Sequence, residues 1–484
     1  MIGPMFLAGR QSRVTTALLA VVLLASCGSP GPSPSAAPPV ATASPSSSVA
    51  PSPSGPPPST SPIASTAPSA SAGTASCADT PAAPAASPAV PSASPASSSP
   101  SATTAPADDP NAALYARIET QVQQLRGLTA TTQVPRFVLD PAGLCAFFRT
   151  EIATENPPAL VAATERLYKA LGLLPADSSL NALELNLLAS QVVGFYDEKT
   201  KRMYVVSTTG EIGPTQQITY AHEFDHALQD QTFGLKKVVP DVKDQGDRST
   251  ARTMLVEGDA TLLMSLWAQG NLTAAQLAQI AGSTDPAAQA ALDATPPILK
   301  EPLLADYTSG LTLALGAWQT TRSFDGVNAL FRNPPDTTEQ VLHPDKLASR
   351  EPAVVVTIPK DLATRLGKGW TVSLQDTLGE LVLGILVRTG KPDAGTDPAQ
   401  GWGGDRVALV EGPNGATAAI VDTAWDTTQA ADAYFAAIQP LVEKLNVAGF
   451  HAAVTPVGDK RVALVSADSD ATLGRVANLL GMAQ

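Results

Sequence analysis

The sequence predicts an α+β fold: a mainly helical domain with a hairpin at its edge, followed by a small C-terminal α+β lobe. Three observations predict it. Apolar residues recur at helical spacing through most of residues 109–349. One stretch there, Val192 to Val206, alternates instead, with Val193, Phe195, Met203 and Val205 around a polar Glu198-Lys199-Thr200-Lys201 turn. After about Ser349, short strand-like and helix-like runs take turns.

The N-terminal part is of another kind. Arg10 and Arg13 followed by apolar Val14 to Leu24 read as an export signal over residues 1–27. It ends Leu24-Ala25-Ser26-Cys27, which resembles the lipobox of bacterial lipoproteins. That resemblance implies a diacylated Cys27 as mature N-terminus and a protein lipid-anchored to the outer side of the cell membrane. An ordinary cleaved signal with an incidental cysteine is the alternative. Residues 28–108 are almost wholly Pro, Ser, Ala and Thr, and from Gly28 to Ala107 Asp79 is the only charge. Such a segment has too few large apolar groups for a core, so it is expected to be a disordered tether. In polyproline II form it spans at most ~250 Å, at ~3.1 Å per residue. Cys77 and Cys145, the other two cysteines, are placed to pair in an exported protein or to remain free thiols.

From Asp109 onward the elements follow in order. Ala113, Leu114, Ile118, Val122 and Leu125 mark a first helix, and Pro135 to Leu139 a short strand. Helices are expected at 141–153 and 158–171, then the hairpin. The next helix starts at Pro214-Thr215, with Thr215 as cap, and stops at Gly234. Another runs from about Thr250 to Gln269, opened by Ser249, with further helices near 273–281 and 306–320. In the C-terminal lobe (350–484), Val354 to Ile358 reads as a strand and 377–388 as a helix. Val407–Val410 and Ala418–Val421 read as a hairpin, 427–445 as a helix, and Arg461–Val465 and a final helix close the chain. The one long apolar run in that lobe, Leu381 to Val387, is too short to cross a bilayer and follows Glu380. A net charge of −13 with no basic patch argues against nucleic acid as a partner. Nothing in the sequence sets an oligomeric state.

The helix at 214–234 carries His222-Glu223-Phe224-Asp225-His226, two of only four histidines in 484 residues. Positions i and i+4 of a helix share a face, so both imidazoles point the same way, with Gln229 on that side, while Ile218, Ala221, Phe224, Ala227 and Leu228 supply apolar positions. Two neutral nitrogen ligands beside a carboxylate that can serve as general base suit metal-assisted hydrolysis, with zinc as the expected ion. A catalytic zinc needs a third protein ligand and an open position. The extended pattern that would supply a third histidine fails, because Gln229 and Thr232 occupy its Gly and His places. Glu257, in Leu255-Val256-Glu257-Gly258-Asp259-Ala260, interrupts an apolar helix and would be costly to bury without a cation. The alternative is a carboxylate on an exposed helical stripe.

With these residues the region Asp109 to Leu347 resembles the gluzincin metallopeptidases, peptidase-MA-like zincins in which a helical HExxH and a glutamate from a following helix bind zinc. The resemblance implies that His222, His226 and Glu257 are ligands, that Glu223 is the base, and that a peptide or protein is the substrate. The hairpin resembles the family's edge strand, which pairs with extended substrate. For the donor to the reaction's oxyanion, His343 is one candidate; the other, Tyr307, ahead of a helix, resembles the family's tyrosine. One departure stands out: where thermolysin-type enzymes place an aspartate four residues after the glutamate to orient a ligating histidine, this chain has Thr261. Asp259 is expected on the wrong side of its helix, which leaves Asp230 as a possible partner. Rival functions are a non-catalytic envelope-binding lipoprotein on the same scaffold and a zinc hydrolase of a non-protein amide.

Overall fold

A computed structural model describes residues 109–482 apart from 208, 209, 211 and 284, together with Val14–Thr16, Cys77 and Thr103–Thr104. Cys27 and most of the expected signal and tether lie outside the described residues. Among these residues no helix is long and apolar enough to cross a membrane.

The fold is α+β, as the sequence predicts. Two strands, β1 (Val14–Thr16) and β2 (Thr103–Thr104), precede α1 (Ala112–Arg126), β3 (Arg136–Leu139), α2 (Pro141–Glu155), α3 (Pro158–Ala170) and α4 (Leu180–Gln191). The hairpin follows as β4 (Gly194–Asp197) and β5 (Arg202–Val206), in antiparallel register from Gly194 opposite Val205 to Asp197 opposite Arg202. Its turn closes through Lys201 at a left-handed φ of 57°. The sheet order is β1-β4-β5-β3-β2, with β3 parallel to β5 and β1 antiparallel on the outer edge of β4.

Three long helices then stack: α5 (Pro214–Phe233), α6 (Gly246–Asn271) and α7 (Pro297–Thr321). Their starts correct the expected caps. Gly213 is the N-cap of α5 and Pro214 its first residue, where a missing N–H costs nothing, so Thr215 does not cap. Helix α6 begins three residues before Ser249, and α7 begins at Pro297, so Tyr307 lies well inside it. Close approach of α6 and α7 rests on a glycine pair. A Cβ on Gly258 would come 2.1 Å from the Gly310 carbonyl carbon, and one on Gly310 would come 2.2 Å from the Met254 oxygen.

After α8 (Thr338–Leu342), the C-terminal lobe is a five-stranded antiparallel sheet in the order β6-β7-β8-β10-β9. The chain passes β6 (Thr371–Asp376), α9 (Gly379–Gly390), β7 (Trp402–Glu411), β8 (Thr417–Trp425), α10 (Thr428–Val447), β9 (His451–Gly458), β10 (Arg461–Ala467) and α11 (Asp470–Leu479). Alternate residues of its strands serve two faces. Val407, Leu409, Ala419 and Val421 join α9 and α10 in a core that also takes in Phe148, Leu167 and Leu299 of the helical part. Ala408, Val410, Ala418 and Ile420 meet Val476 of α11 on the opposite face. The run Val354 to Ile358 is not a strand: Val354 donates one backbone hydrogen bond to the Gly403 carbonyl, and Val355 is 82 % exposed. Its β-branched residues have strand propensity but no neighbour to form a ladder.

Cys77 and Cys145 form a disulfide, which fastens a point of the N-terminal segment to α2, and the Arg149 side chain donates to the Cys77 carbonyl.

Candidate metal centre

Thirteen consecutive residues of α5, from Ile218 to Asp230, are buried, and so are His222, Glu223 and His226 among them. The i,i+4 spacing turns both rings toward α6, where Glu257 faces them. His222 Nε2 lies 3.2 Å from Glu257 Oε2, His226 Nε2 lies 3.4 Å from it, and the two Nε2 atoms are 3.0 Å apart. Metal–ligand bonds of about 2.0–2.1 Å at tetrahedral angles place ligand atoms about 3.3 Å from one another. The three contacts bracket that value. Protons alone satisfy the cluster poorly. If both rings donate to Glu257, two N–H groups face each other, and if one ring accepts from the other, it cannot also donate to the carboxylate from the same atom. A cation at the centre uses all three lone pairs.

Electrostatics follow the same geometry. Burial, aided by the neighbouring ring, holds His222 below its ordinary pKa. At His226 burial pulls the same way, but Glu257 outweighs it and raises the ring to about 9. Burial opposes the Glu257 charge, yet the two rings keep it well below the usual carboxylate range.

Glu223 points past the trio to the hairpin. Its Oε2 accepts the Tyr196 backbone N–H at 2.8 Å, while Oε1 is buried with no hydrogen-bond partner. Burial pushes this carboxyl up to about 8. One oxygen is therefore fixed by β4 and the other is free to hold a proton.

What steadies the histidines differs from expectation. His226 Nδ1 lies 2.9 Å from Gln229 Oε1, and this contact presents Nε2 to the centre. Gln229 Nε2 in turn donates to Asp259 Oδ2 at 2.9 Å and to the Val256 carbonyl at 3.1 Å. Asp259 is thus on the useful side of its helix, acting through Gln229. Arg126 of α1, fully buried, donates to the same Asp259 oxygen at 2.8 Å, reaches Asp225 at 3.4 Å and packs over the Phe324 ring. Asp230 is engaged elsewhere, accepting from the Tyr196 hydroxyl at 2.8 Å and from Lys201. His222 Nδ1 and the Thr261 hydroxyl are both buried with no hydrogen bond of normal geometry, although the Ala260 backbone favours the protonated His222 ring. Arg126 lies almost a hundred residues before the motif, and no local sequence pattern marks it.

Tyr307 comes to the site, its ring centroid 6.0 Å from that of His222. Asp306 beside it is buried with Oδ1 unpartnered, and burial followed by the nearby Glu257 raises its pKa well above normal. His343 does not join this group. It contacts Glu380 and Asp397, so the structure gives no support to its expected role as oxyanion donor. A cavity of about 480 Å³ at the lobe junction is lined by Asp247, Arg248, Asp336, Val354 and Arg406, and by none of the three converging residues.

Residues 369–477, most of the C-terminal lobe, match the model of a domain of unknown function, DUF8575. No curated protein and no solved structure matches the chain. Among the described residues, His222, His226 and Glu257 form one of two groups whose ligand atoms are close enough together to hold a metal ion.

Proposed function

We propose that the protein is a zinc-dependent peptidase of the gluzincin type, working outside the cytoplasm on a lipid anchor at Cys27. The observation that carries this is the convergence of His222, His226 and Glu257 at near-tetrahedral ligand spacing with the Glu223 carboxylate alongside. Two imidazoles and one carboxylate form a donor set that favours zinc and leaves a fourth position open. Bound there, the ion supplies Lewis-acid polarisation of a carbonyl and acidification of a water. Glu223 Oε1, buried and without another hydrogen-bond partner, takes the proton from the attacking water and passes it to the leaving amine. Tyr307, whose ring lies 6.0 Å from that of His222, is the proposed donor to the developing oxyanion.

The outer edge of β4 supports a peptide substrate. Its Tyr196 is hydrogen-bonded to the base, and the edge pairs antiparallel with the extended segment Val14–Thr16, which processing at Cys27 would remove and so vacate the edge. A substrate strand added there would run past Glu223. The Cys77–Cys145 disulfide suits an oxidising, extracytoplasmic compartment.

The test is hydrolysis of an unfolded protein by the zinc-loaded chain. Cleavage that chelation abolishes and added zinc restores is the expected result. Stoichiometric zinc at the trio with no cleavage across a broad peptide mixture would favour a binding role.

A further inference from the structure

A second group of metal-competent side chains lies where the two lobes meet. His343 sits between α8 and the helix beginning at Pro344, with its backbone N–H donating to the Glu339 carbonyl at 2.8 Å. Glu380 is in the first turn of α9, and Asp397 is on the loop from α9 to β7. His343 Nε2 is 3.0 Å from Glu380 Oε1 and 3.3 Å from Asp397 Oδ2, again near the spacing of tetrahedral ligands. All three ligand atoms lie within 4.8 Å of one another.

The surroundings are built rather than incidental. The loop bearing Asp397 is tied down on both sides: Arg388 Nη1 donates to the Thr396 carbonyl at 3.2 Å, and Pro398 lies against α9 at Gly384. The Glu380 side chain is wholly buried, and its Oε2 has no hydrogen-bond partner. Among the described residues His343 is the only basic side chain in ion-pair contact with either carboxylate, because nearby Lys346 is committed to Glu339, Glu351 and Asp426. With one imidazole edge between them, the two carboxylates avoid repulsion only by sharing a proton, whereas a divalent cation would neutralise both and give the buried Glu380 a full partner.

The geometry points to a second divalent-metal site, formed by His343, Glu380 and Asp397, that clips the C-terminal lobe to the helical one. An imidazole with two carboxylates suits a zinc-class transition metal better than calcium or magnesium, which prefer all-oxygen shells. Glu380 Oε2 is the natural fourth donor. His343 precedes the change of texture at Ser349 and the two carboxylates follow it, so the ion would bind residues of both lobes. Asp397 is partly exposed, so the ion there exchanges more readily than one at the buried trio.

Zinc stoichiometry of the full chain, by elemental analysis after gel filtration, separates the two sites. The expected result is two zinc ions per parent chain and one in Asp397→Asn. Glu257→Gln should also retain one, and the double variant none. Zinc should raise the Tm of Glu257→Gln, and adding Asp397→Asn or His343→Asn should remove that rise. Because Asp397 is on a partly exposed loop, its isosteric replacement leaves the fold to be checked by an unchanged helical circular dichroism spectrum. Failure of the trio to bind zinc would show separately, as one ion per parent chain that Glu257→Gln leaves in place. If Asp397→Asn and His343→Asn bind as much zinc as the parent, and zinc stabilises them equally, the second site is disproved.

Discussion

At the residue scale, the i,i+4 spacing of His222 and His226 was enough to place both rings on one face, since helix geometry alone does that. The buried network behind them was not readable. Gln229 is visible in the sequence on the histidine side, but its partner Asp259 looked misdirected, and the cation that holds Asp259 comes from α1. Gln229→Leu removes both the acceptor for His226 Nδ1 and a donor to Asp259. It is expected to weaken zinc binding at the trio by about 10–100-fold while leaving Glu223 in place. Competition with a chromophoric chelator measures this. Affinity equal to the parent's would mean that Gln229 does not orient the ring.

At the element scale, the pairing of α6 with α7 explains why a glycine follows the ligand Glu257. Gly258 lets the α7 backbone come close enough to hold Tyr307 near His222. Gly258→Ala puts a methyl group where the Gly310 backbone stands, so the helices must part. The expected cost is about 1–3 kcal/mol in urea unfolding, with a loss of activity larger than the loss of zinc. The hairpin and the β7–β8 pair were legible because alternation and turn residues agree there. The strand expected at Val354–Ile358 failed because propensity does not supply a partner, and β6, α4 and β9 were missed because their apolar residues are too sparse or mixed to show a period. Cap positions slipped for a related reason: Pro214 and Thr215 are both plausible starts, and only the backbone path at Gly213 decides.

At the scale of the whole molecule, several acids are buried far from any candidate metal centre, and they set a pH dependence. Glu184 on α4 has both carboxylate oxygens buried without partners, and burial raises its pKa to about 8. For a carboxyl raised in the folded state, the unfolded chain ionises first. The contribution to stability is therefore full below the unfolded value of about 4.3 and is lost as pH rises toward 8. Glu184→Gln should gain at least about 1 kcal/mol over the parent at pH 8 and little at pH 4. Urea denaturation at the two values checks it, and an equal effect at both would show that Glu184 is not the cause. Such long-range burial is set by the packing of both lobes around one core and has no local sequence signature.

The central claim is that the trio and Glu223 form a working hydrolytic centre. It is tested most directly by comparing zinc-loaded parent and Glu223→Gln for cleavage of an unfolded protein. The account predicts unchanged zinc content and a fall in turnover of about 10²-fold or more, the usual contribution of a positioned general base. Cleavage by Glu223→Gln at the parent's rate would contradict it.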